Sequence, residues 1–398
     1  MSPIAGNRVL LAVTSADSWI FYRGLVGHLR CAGFDLVLLS SPGAGLQAIA
    51  KEEQVAALEV PMEREIAPIK DLIACWNVYR IMRKSRPDIV DASTPKAGLL
   101  VGLAAWLARV PFRVYCLRGL RLETTSGVMR FILWVAEWIS CACANRVVCV
   151  SSSLRERAIA LKLVSRRKTV VLRKGSSGVD LDRFTASDSD SSETKELSLQ
   201  LGIPEDAQIV GFVGRLVKDK GIYQLLEAFQ GLRKQFPQLC LLVLGNFEEG
   251  DPVEPEVRSF IECNDAVIHP GFVRDTAPYY RLMDVLAFPT LREGFGQVSL
   301  EAQASGVPVV TTMATGAIDS VIDGITGFLV PVGDSTALRM RIAQLLADNG
   351  LRSDMAREGR AWMERDFGQE RIWGAQTRFY RELISGGLGW VSNPGSYN

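Results

Sequence analysis

Histidine is almost absent from this chain of 398 residues: His28 and His269 are the only two. Both read as structural. Neither lies near Cys141 and Cys143, a pair also too closely spaced for the usual zinc pattern, so no metal site is expected. The eight cysteines are scattered without a disulfide framework and read as reduced, buried thiols of a cytosolic protein. Long apolar runs are missing too. No stretch reaches the ~20 residues needed to span a bilayer without a charge, and the nearest, Val128 to Val150, carries Arg130, Glu137 and Arg146. No leader-like segment precedes the first strand-like run, Arg8–Val13, so no secretory signal is expected. The turn after it, Thr14-Ser15-Ala16-Asp17, lacks the Gly-x-Gly fingerprint of dinucleotide enzymes, which argues against hydride chemistry.

Net charge is nearly absent as well, at +1, but the total hides an asymmetry. Up to Phe184 there are 26 Lys and Arg against 15 Asp and Glu; the remainder holds 19 against 29. A basic first half and an acidic second half point to different partners. With 48% hydrophobic and 22% charged residues the chain is globular, and its length suits two domains.

Strand-like runs alternate with helical ones. In the first half the strands are Val9–Thr14, Asp35–Leu39, Ile89–Asp91, Phe112–Tyr115, Val147–Val150 and Thr169–Leu172, with helical patterns near 18–32, 68–86, 96–109, 126–144 and 152–161. A Ser- and acid-rich stretch at 185–198 reads as a surface loop at a domain boundary. A second series follows: Ile209–Val213, Cys240–Leu244, Val267–His269, Val285–Phe288 and Val307–Thr311. The last helical stretch covers roughly 371–385 and is rich in aromatics; Asn393–Asn398 reads as a frayed tail. The alternation predicts an α/β chain with doubly wound parallel sheets.

Two stretches carry chemistry. Residues 288–306, F-P-T-L-R-E-G-F-G-Q-V-S-L-E-A-Q-A-S-G, read as strand end, glycine loop and helix. Gly294 and Gly296 let the backbone approach a ligand, and the helix start near Gln297 offers amide donors and a positive dipole to an anion. Glu293 and Glu301 suit hydroxyls on either side of a phosphate better than the phosphate itself. An ordinary α/β crossover with a solvated Glu293 fits the spacing equally well. The second stretch, residues 208–221, is Q-I-V-G-F-V-G-R-L-V-K-D-K-G. Arg215 and Lys220 flank a short loop at a strand's carboxyl end, placed to clamp a diphosphate, whereas Lys218 reads as a solvated turn residue.

Together, G-F-V-G-R-L-V-K-D-K-G and E-G-F-G-Q-V-S-L-E-A resemble the retaining glycosyltransferases of family 4, which have the GT-B fold: two Rossmann-like domains facing a cleft. The segment Asp88–Tyr115, with S-T-P-K-A-G at its centre, resembles the branch that builds capsule, O-antigen and lipid-linked oligosaccharide. The resemblance covers nearly the whole chain. It implies an acceptor-binding, membrane-facing domain over 1–184, a linker at 185–200 and a nucleotide-sugar domain over 201–370. It also implies that the helix within 371–398 crosses back to the first domain.

The resemblance further implies that Arg215 and Lys220 hold the donor diphosphate and stabilise the leaving nucleotide. Glu301 would bind the ribose and Glu293 the donor sugar near its 3-hydroxyl. Backbone at Gly294, Phe295, Gly296, Gln297 and Val298 would touch sugar or phosphate, and Val273 would lie near the base. Glu293, Arg215 and Lys220 are thus the candidate catalytic residues. Attack would come from the donor's front face, with no protein nucleophile, no bound metal and no cofactor beyond the nucleotide-sugar substrate.

The chain departs from the family pattern in two places. Family members often carry a histidine just after the strand ending at Tyr115, where this chain has Arg118. They often have asparagine before Gly-Val-Asp, where it has Ser177. Arg118 is either a ligand of an acceptor phosphate or a solvated turn residue. Lys96 is a second candidate for that phosphate; at a helix start it opposes the dipole and calls for a compensating anion.

Asp71 to Arg86 sets Leu72, Ile73, Trp76, Tyr79 and Met82 beside Arg80, Arg83, Lys84 and Arg86; Trp106, Trp134 and Trp138 stand in nearby helices. Basic amphipathic helices with tryptophan suit a membrane surface. The expected partners are therefore a nucleotide-sugar donor, a polyprenyl-diphosphate-linked saccharide and the cytoplasmic face of the membrane, with no nucleic acid. The first reading is transfer of a hexosyl or N-acetylhexosaminyl unit from a UDP-sugar to that saccharide. Its alternatives are a soluble acceptor, a GT-B epimerase of the UDP-N-acetylglucosamine type, and a nucleotide-sugar sensor without turnover.

Overall fold

A computed structural model describes residues 7–63, 65–185, 192–248 and 252–386. The tail at 393–398 and residues 186–191 of the Ser- and acid-rich stretch lie outside them. The chain divides into two compact units, one formed by Met1–Ser177 with Glu370–Asn398, the other by Gly178–Gln369.

The first unit is built on a parallel sheet of β1 (Arg8–Ala12), β2 (Asp35–Ser40), β3 (Ala56–Glu59), β4 (Ile89–Ser93), β5 (Phe112–Leu117), β6 (Arg146–Cys149) and β7 (Thr169–Val170). Their spatial order is β3-β2-β1-β4-β5-β6-β7, every neighbouring pair parallel. Between them run α1 (Leu25–Cys31), α2 (Ala44–Glu53), α3 (Pro68–Ser85), α4 (Pro95–Leu107), α5 (Gly127–Cys143) and α6 (Ser152–Ala160). The central strands are buried apolar runs, the pattern of a parallel sheet covered on both faces. Val9, Leu11, Leu36 and Leu38 face a core with α1, α2 and the C-terminal helix. Leu10, Ala12, Val37 and Leu39 face α3 and α4. Prolines at the first turns of α3 and α4 start both helices where a missing N–H costs nothing.

The second unit holds α7 (Ser192–Gln200), β8 (Ile209–Val213), α8 (Ile222–Arg233), β9 (Cys240–Leu244), α9 (Pro255–Cys263), β10 (Val267–Gly271), α10 (Ala277–Tyr280) and β11 (Val285–Phe288). It continues with α11 (Gln297–Ala304), β12 (Val309–Thr312), β13 (Gly327–Val330), α12 (Ser335–Ala347) and α13 (Asn349–Trp362). The strand order is β10-β9-β8-β11-β12-β13, again all parallel. The chain then returns to the first unit as α14 (Gln369–Gly386), where Phe379, Tyr380 and Leu383 enter the core.

Some expectations shift. The sequence places the first boundary at Phe184 and a linker over 185–200; the compact unit ends at Ser177, and 192–200 is helix. The segment after Ser177 binds into the second unit. Arg183 pairs with Asp275 at 2.9 Å, Phe184 stacks edge-on against Tyr280, and Arg360 donates to the Phe184 carbonyl at 2.6 Å. The helical stretch expected over 18–32 is two pieces, a 3-10 turn Ala16–Tyr22 and then α1. They break at Gly24, whose φ of +75° and contact with the Trp373 ring leave no room for a Cβ.

The layering of α5 is inverted. Its buried face carries Glu137, Ser140, Cys141 and Cys143. Glu137, 5% exposed, accepts the Tyr115 hydroxyl at 2.7 Å, and burial pushes its pKa up to about 7. A carboxyl raised on folding binds a proton the unfolded chain has already released, so its contribution is present below pH ~4.3 and is lost as pH rises through the folded value. Glu137→Gln keeps an acceptor for Tyr115. The variant should match the wild type in Tm at pH 4 and exceed it at pH 8; equal pH dependence of the two Tm curves would show that Glu137 does not titrate in this range.

Candidate active site

Each sheet reverses its strand order once, between β1 and β4 in the first unit and between β8 and β11 in the second. In open α/β sheets a crevice opens at the carboxyl ends of the two strands that flank such a reversal. Both chemistry-bearing stretches stand at the reversal of the second unit: Gly214–Gly221 follows β8 and Pro289–Gly296 follows β11.

The two loops are locked together. Lys220 forms an ion pair with Glu293, both side chains largely buried, and its ammonium lies 5.5 Å from the centre of the Phe288 ring. Asp219 pairs with Arg292 at 2.6 Å, and its carbonyl accepts from the Leu291 amide at 2.8 Å and the Thr290 hydroxyl at 3.1 Å. Gly221 is left-handed at φ +72° and lies against the Pro289 carbonyl oxygen, which a Cβ would strike. Gly316, at φ +79°, fits under the backbone of Glu293 and Gly294, while the Glu293 amide donates to Thr315 O at 3.0 Å. The sequence reading picked out Lys220, Glu293 and Gly294 in this assembly but not Asp219, Arg292, Gly221 or Gly316. A negative residue between two lysines and a glycine directly before a helix were the available signals.

Arg215 points elsewhere along the same edge, to Glu248 after β9 at 2.5 Å. Gly296, at φ +87°, caps α11. The Phe295 side chain is core, packed against Phe367, so only its backbone remains for a ligand. The Gln297 side chain is committed: its amide donates to Gly178 O at 2.7 Å. Glu301, one turn into α11, accepts the Tyr280 hydroxyl at 3.0 Å, and burial raises its pKa to about 7. The same hydroxyl lies 3.4 Å from the Val298 carbonyl. Val273 follows β10, two strands away on the same edge, partly exposed.

In the first unit, Lys96 is not a free phosphate ligand. Its ammonium bonds Asp71 at 2.7 Å and Glu65 O at 2.5 Å, so the anion that a lysine at a helix start requires is the chain's own Asp71. Arg118 is not a solvated turn residue. It lies over the rings of Phe21 and Tyr22 at 5.2 and 5.4 Å and donates to Ser93 Oγ at 3.3 Å and Ser177 Oγ at 3.0 Å. The two departures from the family pattern, Arg118 and Ser177, are thus bonded to each other. Burial opposes the arginine's charge, but Cys116, Tyr22 and Asp91 more than offset this and raise its pKa. Arg118 lines a small cavity of about 40 Å³ with Tyr22, Asp91, Ser177, Trp373 and Gln376. Asp91, 2% exposed, accepts from Tyr380 at 2.5 Å and Gln376 at 3.4 Å, and burial pushes its pKa up to about 6.

Cys141 and Cys143 are buried free thiols, with pKa values raised by burial. No group of three or more His, Cys, Asp or Glu among the described residues is placed to hold a metal ion.

Comparison with known proteins agrees with this layout. Residues 193–362 match the family described as glycosyl transferases group 1, and residues 19–175 match the glycosyl transferase 4-like domain. The capsular polysaccharide biosynthesis glycosyltransferase CapM of Staphylococcus aureus is 36% identical over 379 residues, 95% of this chain and 98% of that protein. The chain belongs to this glycosyltransferase family. An Escherichia coli UDP-Gal:alpha-D-GlcNAc-diphosphoundecaprenol alpha-1,3-galactosyltransferase is 26% identical over 71% of this chain and 73% of its own. Among solved structures, Anabaena Alr3699/HepE in complex with UDP and glucose superposes with a TM-score of 0.77 at 21% identity, covering 95% of this chain and 99% of that one. The glycosyltransferase therefore has the GT-B fold.

Gly221→Ala tests the lock between the two loops of this glycosyltransferase. A non-glycine residue in the left-handed region costs about 1–3 kcal/mol, and here the added methyl also strikes backbone. The expected result is a protein that is folded by circular dichroism but melts at a lower temperature. An unchanged Tm would show that the contact of Gly221 with Pro289 does not constrain the two loops.

Proposed function

We propose that this glycosyltransferase moves a hexosyl or N-acetylhexosaminyl unit from a UDP-sugar to an undecaprenyl-diphosphate-linked saccharide, at the cytoplasmic face of the membrane, in the assembly of a surface polysaccharide such as capsule or lipopolysaccharide. The observation that carries the donor half is the meeting of Lys220 and Glu293 at the reversal point of the second sheet, with Arg215 on the same edge. The acceptor half is supported by the relatives that act in capsule synthesis and on a diphosphoundecaprenol-linked sugar.

In this reading Lys220 and Arg215 exchange their carboxylate partners, Glu293 and Glu248, for the donor diphosphate. Both cations then sit where negative charge grows as the glycosidic bond breaks, so they stabilise the transition state more than the ground state. The helix dipole of α11 adds to the same field. Released from Lys220, Glu293 accepts from a hydroxyl of the donor sugar, and Glu301 accepts from the ribose. The acceptor hydroxyl attacks the anomeric carbon on the face the diphosphate leaves. The new C–O bond forms as the C1–O–P bond breaks, and the proton passes to the departing diphosphate oxygen. The configuration is retained, and neither a protein nucleophile nor a bound metal is needed. Arg118 binds the acceptor in the first unit. Transfer differs from donor-only epimerisation in requiring an acceptor, so product analysis without acceptor separates the two.

Screening UDP, GDP and ADP for thermal protection tests the donor. Ligand at ~100 times its Kd stabilises by about 2.7 kcal/mol, and UDP alone is expected to shift Tm. No shift with any nucleotide would sink the donor-site assignment. Lys220→Ala, Arg215→Ala and Glu293→Ala should each lower turnover ~100-fold or more, the loss expected for a transition-state contact. A variant near the wild-type rate would remove that residue from the site. Arg118→Ala should mainly raise the KM for acceptor; an unchanged acceptor KM would leave Arg118 a structural residue.

A further inference from the structure

One buried carboxyl of the first unit is only half satisfied. Asp91 stands on β4, one of the two strands that flank the reversal of the first sheet, and is 2% exposed. Its Oδ2 accepts from Tyr380 at 2.5 Å and from Gln376 at 3.4 Å. Its Oδ1 is buried and has no hydrogen-bond partner among the described residues. A buried polar atom without a partner costs free energy, and in a folded protein it calls for a ligand or a water. Asp91 also lines the cavity of about 40 Å³ that Arg118 lines. At neutral pH the carboxylate is the main form, because burial raises its pKa only to about 6. A carboxylate accepts and does not donate, so the group that fills the cavity must bring a donor.

Charge then decides between classes of ligand. Arg118 is positive, Asp91 is negative, and the two attract. The guanidinium is therefore already balanced inside the protein. A diphosphate entering beside it would meet the Asp91 carboxylate in the same small space and would bring no proton for Oδ1. An ammonium would satisfy Oδ1 but would meet Arg118. A hydroxyl suits both. Its O–H donates to Oδ1, and its oxygen accepts from Arg118, whose bonds to Ser93 and Ser177 use only part of the five donors of a guanidinium. Size agrees. A water-sized group needs about 10–15 Å³. The 40 Å³ cavity thus takes a hydroxyl or hydroxymethyl arm but not two linked phosphates. Phe21 lines the cavity and is 48% exposed, so the cavity reaches the surface beside an aromatic ring.

We propose that Asp91 and Arg118 together bind one hydroxyl arm of a saccharide, Asp91 Oδ1 accepting from the hydroxyl and Arg118 donating to its oxygen, and that this cavity does not hold the diphosphate. Asp91 is thereby a specificity-determining residue for the acceptor sugar. Tyr380 and Gln376, bonded to the other oxygen, hold the carboxylate in place. This rests on the reading that the acceptor binds to the first unit, and it names the part of the acceptor that is read there.

Saturation-transfer NMR on the full chain tests it, with UDP present to fill the candidate donor site. The probes are the methyl glycosides of glucose, galactose and N-acetylglucosamine, and inorganic pyrophosphate followed by its phosphorus signal. At least one glycoside should bind the wild type. Among its deoxy derivatives, one should bind ~10-fold or more weakly, the scale of a hydrogen bond to a charged group. Asp91→Asn keeps a carbonyl for Tyr380 and offers the cavity an amide N–H instead of an acceptor. It should weaken the parent glycoside ~10-fold and should no longer distinguish it from that deoxy derivative. If Asp91 only braces the fold, Asp91→Asn lowers Tm and the distinction survives, which overturns the proposal. Arg118→Lys keeps the charge but loses the planar fork, and it should weaken the glycoside as well; this half-buried position serves if Asp91→Asn does not fold. A wild type that binds none of the glycosides overturns the proposal, and so does pyrophosphate that binds the wild type and is lost in Arg118→Ala. The assay reads no sugar transfer. Transfer to a lipid-linked saccharide without glycoside binding would overturn the cavity assignment and spare the function. Glycoside binding through Asp91 without such transfer would do the reverse.

Discussion

The ion pair between Asp219 and Arg292 is the constraint on which the candidate site of the second unit depends. It joins the loop after β8 to the loop after β11 across the point where the strand order reverses. Around it the backbone of each loop is held by the other, through the Asp219 carbonyl and the contact of Gly221 with Pro289. Lys220 and Glu293 are the adjacent residues on these two loops. The Asp219–Arg292 pair joins the same two loops beside them, so under the proposed function the Lys220–Glu293 pair can open to a ligand while the loops stay joined. A site whose cation can be released to substrate needs a frame that stays put when that happens, and a separate pair alongside provides it.

The first unit uses a similar division of labour. Tyr380 and Gln376 on the returning helix hold the buried Asp91, and Asp91 faces the cavity where Arg118 is bonded to Ser93 and Ser177. Lys96, which could have served a phosphate, is spent on Asp71 and fastens α4 to α3. The charges near the candidate acceptor edge are thus sorted into one that braces the scaffold and one that stands at a cavity.

Much of this was legible in the sequence. The strands were readable because a strand covered on both faces is a nearly unbroken apolar run, as in Ile209–Val213 and Cys240–Leu244. β3, at the sheet edge, is short and half-exposed and lacks that run; β13, G-F-L-V, has only a three-residue apolar run after a turn glycine, and both were missed. The glycine loops and the cations beside them were legible as local patterns. The requirement for an anion near Lys96 followed from the helix dipole, but nothing local identified Asp71, 25 positions earlier, as its source. Asp219 and Arg292, 73 positions apart, have no shared local signal at all.

The sequence by itself therefore determined most of the elements, the doubly wound class and the family, and it supplied the residues on which the proposed nucleotide-sugar contacts rest. Only the tertiary structure decided which charges are paired inside the protein and which stand at a cavity or a sheet edge. It alone showed that α5 turns its glutamate inward and its phenylalanine outward. The reason is physical. Periodicity and turn chemistry act over a few residues and are written in order along the chain. Pairing, desolvation and the choice of buried face depend on neighbours brought together by folding, and their separation along the chain carries no trace of it.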